Sequence, residues 1–351
     1  MLLIGIDEAG YGPKIGPLCH GYAALRCPDC ESGTPPDLWE LLHPSVMRHP
    51  AYVGSLIVDD SKKIYTPALG LRVLQQGIRS FLDCLGAANS ASSDDMYQRI
   101  LPDADRARLE EDCWGRALEN MAQEADKIAA EQAASEAEAL KKKTPRRKKE
   151  KPHPLGPPPK NIPCLSDALN SRNVSVLALG ARALSARHYN AALTNHASNK
   201  ADVNWNVIAE EFSRLMSLAQ PGEDIYAVID RQGGRKFYTG KISALFAGSM
   251  AWVEKETPHA SIYKIETPER TIRVAFLVDA DGLSFPVALG SMAAKLAREL
   301  CMQRLNAFFK SHAPEIRPTA GYYGDANRFL KETKALRKKL AIENAALIRT
   351  K

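Results

Sequence analysis

Apolar and polar positions divide the chain into runs of two periods. Leu2 to Ile6 and Leu18 to Leu25 are apolar runs of strand length, separated by a glycine-rich turn. Proline punctuation predicts loop over 28–50, and Ser55 to Val58 reads as a short strand. Leu71, Leu74, Ile78, Phe81, Leu82 and Leu85 recur at helical spacing and predict a helix over 69–85. Asp103 to Leu140 is rich in Ala, Glu and Gln, has no proline, and predicts a long helix whose apolar positions thin out after Met121. Further on, Val174 to Leu179 predicts a strand and Ala186 to Asn190 a helix. Asn204 to Leu218 predicts a helix with Val207, Ile208, Phe212, Leu215 and Met216 on its apolar side. Ile225 to Ile229, Ser261 to Ile265 and Thr271 to Val278 read as strands, and Ala244 to Val253 as one further element. Two helices close the chain, Ala288 to Phe309 and a basic-rich one over Phe329 to Ile348.

Three segments follow from the pattern: a first globular part over 1–89, an insertion over 90–161 and a second globular part over 162–351. The insertion ends in a basic run, 141–151, with eight Lys or Arg and one Glu, and then a proline-rich linker. The run's net +7 exceeds the +6 of the whole chain, so the rest is close to neutral. The run is either a tether for nucleic acid or a solvated stretch of charge.

Composition changes this picture little. At 351 residues and 45% hydrophobic content the chain has ample material for a core. No apolar run reaches 18 residues and the start lacks a signal-peptide pattern, so no membrane span and a cytoplasmic location are expected. Seven cysteines read as reduced thiols. Cys27 and Cys30 have zinc-knuckle spacing, with Cys19 and His20 near enough in sequence to complete a site; ordinary loop cysteines are the alternative.

The candidate chemistry lies where apolar strands end in acids. Asp7 and Glu8 close the first strand, ahead of Gly10-Tyr11-Gly12. Alternation sends the two carboxylates to opposite faces, so one must reach around the strand end. Asp230 ends the run Ile225 to Ile229, where ligands collect beyond parallel strands. Ser291, Lys295 and Glu299 share one helix face. On spacing alone Glu299 is either a metal-ligating acid or half of a surface ion pair.

Gly5-Ile6-Asp7-Glu8-Ala9-Gly10-x-Gly12-Pro13, with Gly16-Pro17 after it, resembles the opening signature of the type 2 ribonucleases H, the ribonuclease HII and HIII group. Asp60-Ser61-Lys62-Lys63 and Gly290-Ser291 to Arg298-Glu299 resemble two further blocks of that family, and Thr319 to Asp325 its Gly-Tyr-Gly-Thr segment. The resemblance covers roughly 1–85 and 165–330 and leaves out 90–160. It implies a ribonuclease H-like α/β fold, with a mixed sheet of about five strands flanked by helices. It implies hydrolysis of the RNA strand of RNA–DNA hybrids, leaving 5′-phosphate and 3′-hydroxyl ends, in primer removal or ribonucleotide excision. The catalytic and metal-ligating residues it implies are Asp7, Glu8, Asp230 and Glu299, with two magnesium or manganese ions. The substrate contacts are Gly10, Tyr11, Gly12, Lys62, Ser291 and Tyr322, the partner a hybrid or a ribonucleotide-containing DNA duplex, and the protein a monomer. Three positions depart from the family pattern: Glu299 stands where most members have Asp, Tyr11 where they have Arg or Lys, and Arg231 where they usually have Gly. The alternatives are a nuclease of the same fold acting on other nucleic acids, such as DNA junctions, and a non-catalytic nucleic-acid-binding protein.

Overall fold

The first apolar run forms β1 (Leu2–Ala9), which carries Asp7 and Glu8 inside the strand rather than beyond it. The computed structural model describes residues 1–28, 34–65, 71–85, 96–116, 159–195 and 199–350. The other strands are β2 (Leu18–Arg26), β3 (Val46–Met47), β4 (Leu56–Ile57), β5 (Ser175–Leu184), β6 (Ile225–Asp230), β7 (Met250–Glu256), β8 (Ala260–Glu266) and β9 (Thr271–Leu277). Seven of them make one mixed sheet in the order β5-β2-β1-β6-β9-β8-β7, and β3 pairs with β4 separately. β2 runs antiparallel to both β1 and β5, whereas β6 and β9 run parallel to β1. About five strands were expected; the hairpin β7–β8 supplies the excess by pairing antiparallel onto β9. Ala244 to Val253 is accordingly two elements, the end of helix Thr239–Leu245 and the start of β7.

Alternation along β1 decides which side chains meet which helix. Leu3 joins the core beneath helix Phe285–His312, while Leu2, Ile4 and Ile6 join the core beneath helix Lys200–Met216. The same period sends Asp7 toward the first helix and Glu8 toward the second. The long helix begins with Pro286 in its first turn and then presents Ala288, Gly290, Ala293, Ala294 and Ala297 to the sheet. Small residues let its backbone nearly touch the strands. A Cβ built on Gly21 of β2 would stand 1.8 Å from the Gly290 carbonyl oxygen. Gly21→Ala therefore destabilises the protein by about 3 kcal/mol, the upper end of overpacking changes. Chemical denaturation measures it, and a loss under ~1 kcal/mol would show that the helix moves away freely.

Other boundaries differ from the sequence expectation for tertiary reasons. The C-terminal helix over 329–348 is instead Tyr323–Glu332, Lys334–Lys339 and a single turn, Asn344–Ala346. Ala341 is left-handed (φ 52°) and Ile342 N–H donates to the Arg337 carbonyl at 2.9 Å, which stops the helix. The tail then returns to the glycine-rich turn, where Arg349 N–H donates to the Lys14 carbonyl at 2.9 Å. In the insertion, the expected helix begins as Asp103–Glu110, and its further course beyond residue 116 lies outside the described residues. Trp114 follows it into the main core, its indole N–H donating to the Ala346 carbonyl at 3.0 Å. Residues 117–158, and with them the basic run, lie outside the described residues.

Candidate active site

The β1–β6 register pairs Ile6 with Ile229, so the next residue of each strand sets Asp7 beside Asp230 at the C-terminal end of the parallel strands. Asp7 Oδ1 accepts from Glu8 N–H at 2.7 Å. Ser291, from the long helix, hydrogen-bonds the Asp7 carboxyl and also meets Ser61 Oγ at 3.1 Å. Asp230 Oδ1 accepts from Ala280 N–H at 2.9 Å. That bond holds the Asp279-Ala280-Asp281 turn after β9 against Asp230, and Asp281 Oδ1 accepts from Gly282 N–H at 2.9 Å. Asp281 is 6% exposed and Asp7 7%.

These carboxyls disturb one another. Burial, then Asp230 and Glu8, push Asp7 well above the usual carboxylate range. Burial and Asp230 push Glu8 up to about 8, against the opposing pull of Asn204 and Lys62. Burial and Asp60 push Asp281 up to about 6, with Asp230 adding to the rise. Asp230 is itself raised, chiefly by burial. Lys62 lies among them: burial works to lower its ammonium, but Asp281, Asp60, Asp7 and Asp230 together carry it above its ordinary value. Carboxyls raised together by burial and by one another's charge, around one lysine, have the electrostatics of a candidate cation site.

Glu299 is not part of this group. It accepts from Lys295 Nζ at 2.7 Å and from the Tyr65 hydroxyl at 3.3 Å. Ser291 marks where the long helix meets Asp7, and Glu299 lies eight residues further on, about 12 Å along the axis. The fourth carboxyl around Asp7, Glu8 and Asp230 is Asp281, which motif reasoning missed. A signal was present: Asp281 follows a third apolar run, Thr271–Leu277, by the same strand-end logic that singled out Asp230.

The remaining residues of the expected site sit around the glycine-rich turn. Gly10 is left-handed (φ 89°), and a Cβ there would stand 2.5 Å from Arg298 Nε. Arg298 is buried and donates to the Ala320 carbonyl at 3.0 Å, while Lys14 N–H donates to the Gly321 carbonyl at 2.8 Å. These bonds fasten the turn to the 319–323 segment. Tyr322 stands 57% exposed, its ring centroid 6.0 Å from the Arg298 guanidinium. Arg349 closes the other side, donating to the carbonyls of Gly10 and Pro13. Gly12 is open. Tyr11 packs on the Leu18–Tyr189 cluster near Gly233, half-buried. Ser291, expected at the substrate, is 4% exposed and engaged with Asp7 and Ser61.

All the donors gathered here are hard oxygens, which suit magnesium or manganese rather than zinc. Glu8 Oε2 is buried without a hydrogen-bond partner, as a ligand oxygen would be left in the absence of its ion. Among the described residues no three His, Cys, Asp or Glu side chains converge closely enough to grip an ion as they stand. Magnesium does not require that, since it binds through one or two carboxylates, waters and substrate phosphates. Among the described residues Cys19 meets Cys301, His20 meets Asn204 and Cys27 faces the Met1 carbonyl, while Cys30 lies outside them. Among the described residues no helix is long and apolar enough to cross a membrane.

No family model and no curated protein matches the chain. Among solved structures, the PCNA:RNase HII complex from Archaeoglobus fulgidus is similar to it at 14% identity, covering 100% of this chain and 95% of that one, with a TM-score of 0.39. The ribonuclease H2 from Pyrococcus horikoshii OT3 is similar at 12% identity, covering 99% and 92%, with a TM-score of 0.36. The chain folds as a mixed α/β sheet with helices on both faces. Its motifs resemble those of the type 2 ribonucleases H.

Proposed function

We infer that the protein is a metal-dependent endonuclease that hydrolyses the RNA strand of RNA–DNA hybrids. The observation that carries this reading is the gathering of Asp7, Glu8, Asp230 and Asp281 around Lys62 at one end of the parallel strands. Three of these acids and the lysine belong to motifs that resemble the type 2 ribonucleases H. The four carboxylates would hold divalent magnesium or manganese. When bound, such ions lower the pKa of an attacking water and stabilise the leaving oxygen. Lys62 neutralises the carboxylates in the free protein and turns to a substrate phosphate once that charge is met. Ser291 keeps the Asp7 carboxyl oriented. Gly10 and Gly12 present backbone to the strand being cut, at a turn braced by Arg298 and Arg349, and the exposed ring of Tyr322 offers a stacking face beside it. Discrimination for RNA depends on the 2′-hydroxyl, the group by which a protein tells RNA from DNA.

The test is cleavage of three duplexes with magnesium or manganese: a full hybrid, a DNA duplex with one embedded ribonucleotide, and all DNA. Cutting of the RNA strand with 5′-phosphate and 3′-hydroxyl ends, and an intact all-DNA duplex, is the expected result. Equal cutting of the all-DNA duplex would move the protein to the DNA-nuclease alternative. No cutting of any duplex would leave a binding protein.

A further inference from the structure

Glu8 and His20 are directly opposed across the β1–β2 ladder, and Arg182 of β5 opposes His20 on its other side. Neighbours across a ladder share a face, so these side chains form one polar row on the face covered by helix Lys200–Met216. Asn204 descends from that helix into the row. His20 and Asn204 are both completely buried, and His20 Nε2 is bonded to Asn204 Oδ1. The same amide reaches the Glu8 carboxyl.

The chemistry leaves one arrangement. Amide oxygen only accepts, so His20 Nε2–H donates in either charge state of the ring. With Oδ1 committed to the imidazole, Nδ2 is the end of the amide turned to Glu8. Nδ2 has no other partner at hydrogen-bond distance, so its N–H groups are left for the Glu8 carboxyl. Strand alternation also aims Glu8 at the face opposite Asp7, so the side chain needs a hold to serve a cluster formed on the other face.

We propose that Asn204, oriented by His20, is a positioning residue that holds the Glu8 carboxylate for a divalent ion. The assignment rests on the metal-site reading above. Side chains that orient metal ligands usually contribute roughly 10- to 100-fold to affinity or activity. His20 acts one step further out, by keeping the amide from turning over and offering its oxygen to Glu8.

The experiment measures Mn²⁺ binding to the full chain by calorimetry, alongside cleavage of the full hybrid. Asn204→Leu, close to Asn in shape, should raise the Mn²⁺ dissociation constant by roughly 10- to 100-fold. It should lower kcat at fixed metal and leave the KM for the hybrid nearly unchanged. His20→Leu should weaken binding by a smaller factor. His20→Gln, whose amide N–H can still donate to Asn204, should restore it. Thermal unfolding checks that each variant folds, and Asn204→Ala replaces the Leu variant if that one does not. Mn²⁺ affinities for every variant equal to that of the wild type, or equal losses for His20→Leu and His20→Gln, would overturn the proposal. A wild type that binds Mn²⁺ but cuts no hybrid would overturn the proposed activity instead, and the affinities would still decide the role of the pair. A wild type that binds no Mn²⁺ overturns both.

Discussion

Asp7→Asn and Asp230→Asn are each expected to lower cleavage of the hybrid by roughly a thousand-fold or more, because the chemistry of a bound divalent ion is worth several kcal/mol in the transition state. The same substitutions should make the metal-free protein more stable. Both carboxyls are raised, burial being the first cause for each and the neighbouring Asp230 the next for Asp7. A carboxyl raised by folding makes the folded state the proton-rich one. Stability is then full below the unfolded carboxyl range and is lost as pH rises toward the folded value, which for Glu8 is about 8. In chelator, the wild type should therefore lose stability steadily from about pH 5 to about pH 8. Asn at position 7 or 230 removes part of that loss, so each variant gains most over the wild type at the alkaline end. Thermal unfolding across this range, with chelator and with Mg²⁺, makes the measurement. Full activity in both variants at saturating metal would remove these residues from the metal site. A metal-free stability that rises with pH would mean that the carboxyls are not crowded.

Asp281→Asn and Glu299→Gln should behave very differently, although sequence motifs alone assign the fourth acid to Glu299. Asp281 interacts with Asp230, Asp60 and Lys62 within the acidic group, and its loss should cost roughly a hundred-fold in rate and raise the metal requirement. Glu299 pairs with Lys295 and Tyr65 two helical turns beyond Ser291, with Lys295 also over the Tyr65 ring at 4.3 Å. Glu299→Gln keeps an acceptor for both donors, so the rate should change less than about threefold; a partly exposed ion pair contributes only about 0–1 kcal/mol. Parallel rate measurements against Mg²⁺ concentration decide it. A severe loss in Glu299→Gln with a mild one in Asp281→Asn would return the fourth position to Glu299.

Much of this protein can be read along the chain. Period-two and helical patterns located β1, β2, β5, β6, β8, β9 and the long helix, because each buries one continuous apolar face against the core. Strand-end acids and glycine turns are local features, so Asp7, Glu8, Asp230, Lys62 and the turn at Gly10 were all visible before any fold was known. The boundaries that shifted depend on contacts made far away in sequence. Trp114 bonds the carbonyl of Ala346, Arg349 bonds carbonyls of the glycine turn, and the C-terminal helix stops where the tail must turn back to reach it. The acidic group is also such a product. Asp281 enters it because β9 lies parallel beside β6 and the Ala280 amide binds Asp230, a neighbourhood that no spacing along the chain encodes. Glu299 shows the converse: its motif placed it on the right helix and the right face, but a rise of 1.5 Å per residue carries it two turns past the carboxylates. His20 stood out only as part of the zinc alternative, and Asn204 carries no motif at all. One is an ordinary strand position and the other an ordinary helix position, and only strand register and the helix above bring them to Glu8. Local pattern is dictated by which side chains must leave water, and that is written residue by residue. Which polar groups then face one another depends on strand order, register and helix placement, and those are settled only when distant segments pack.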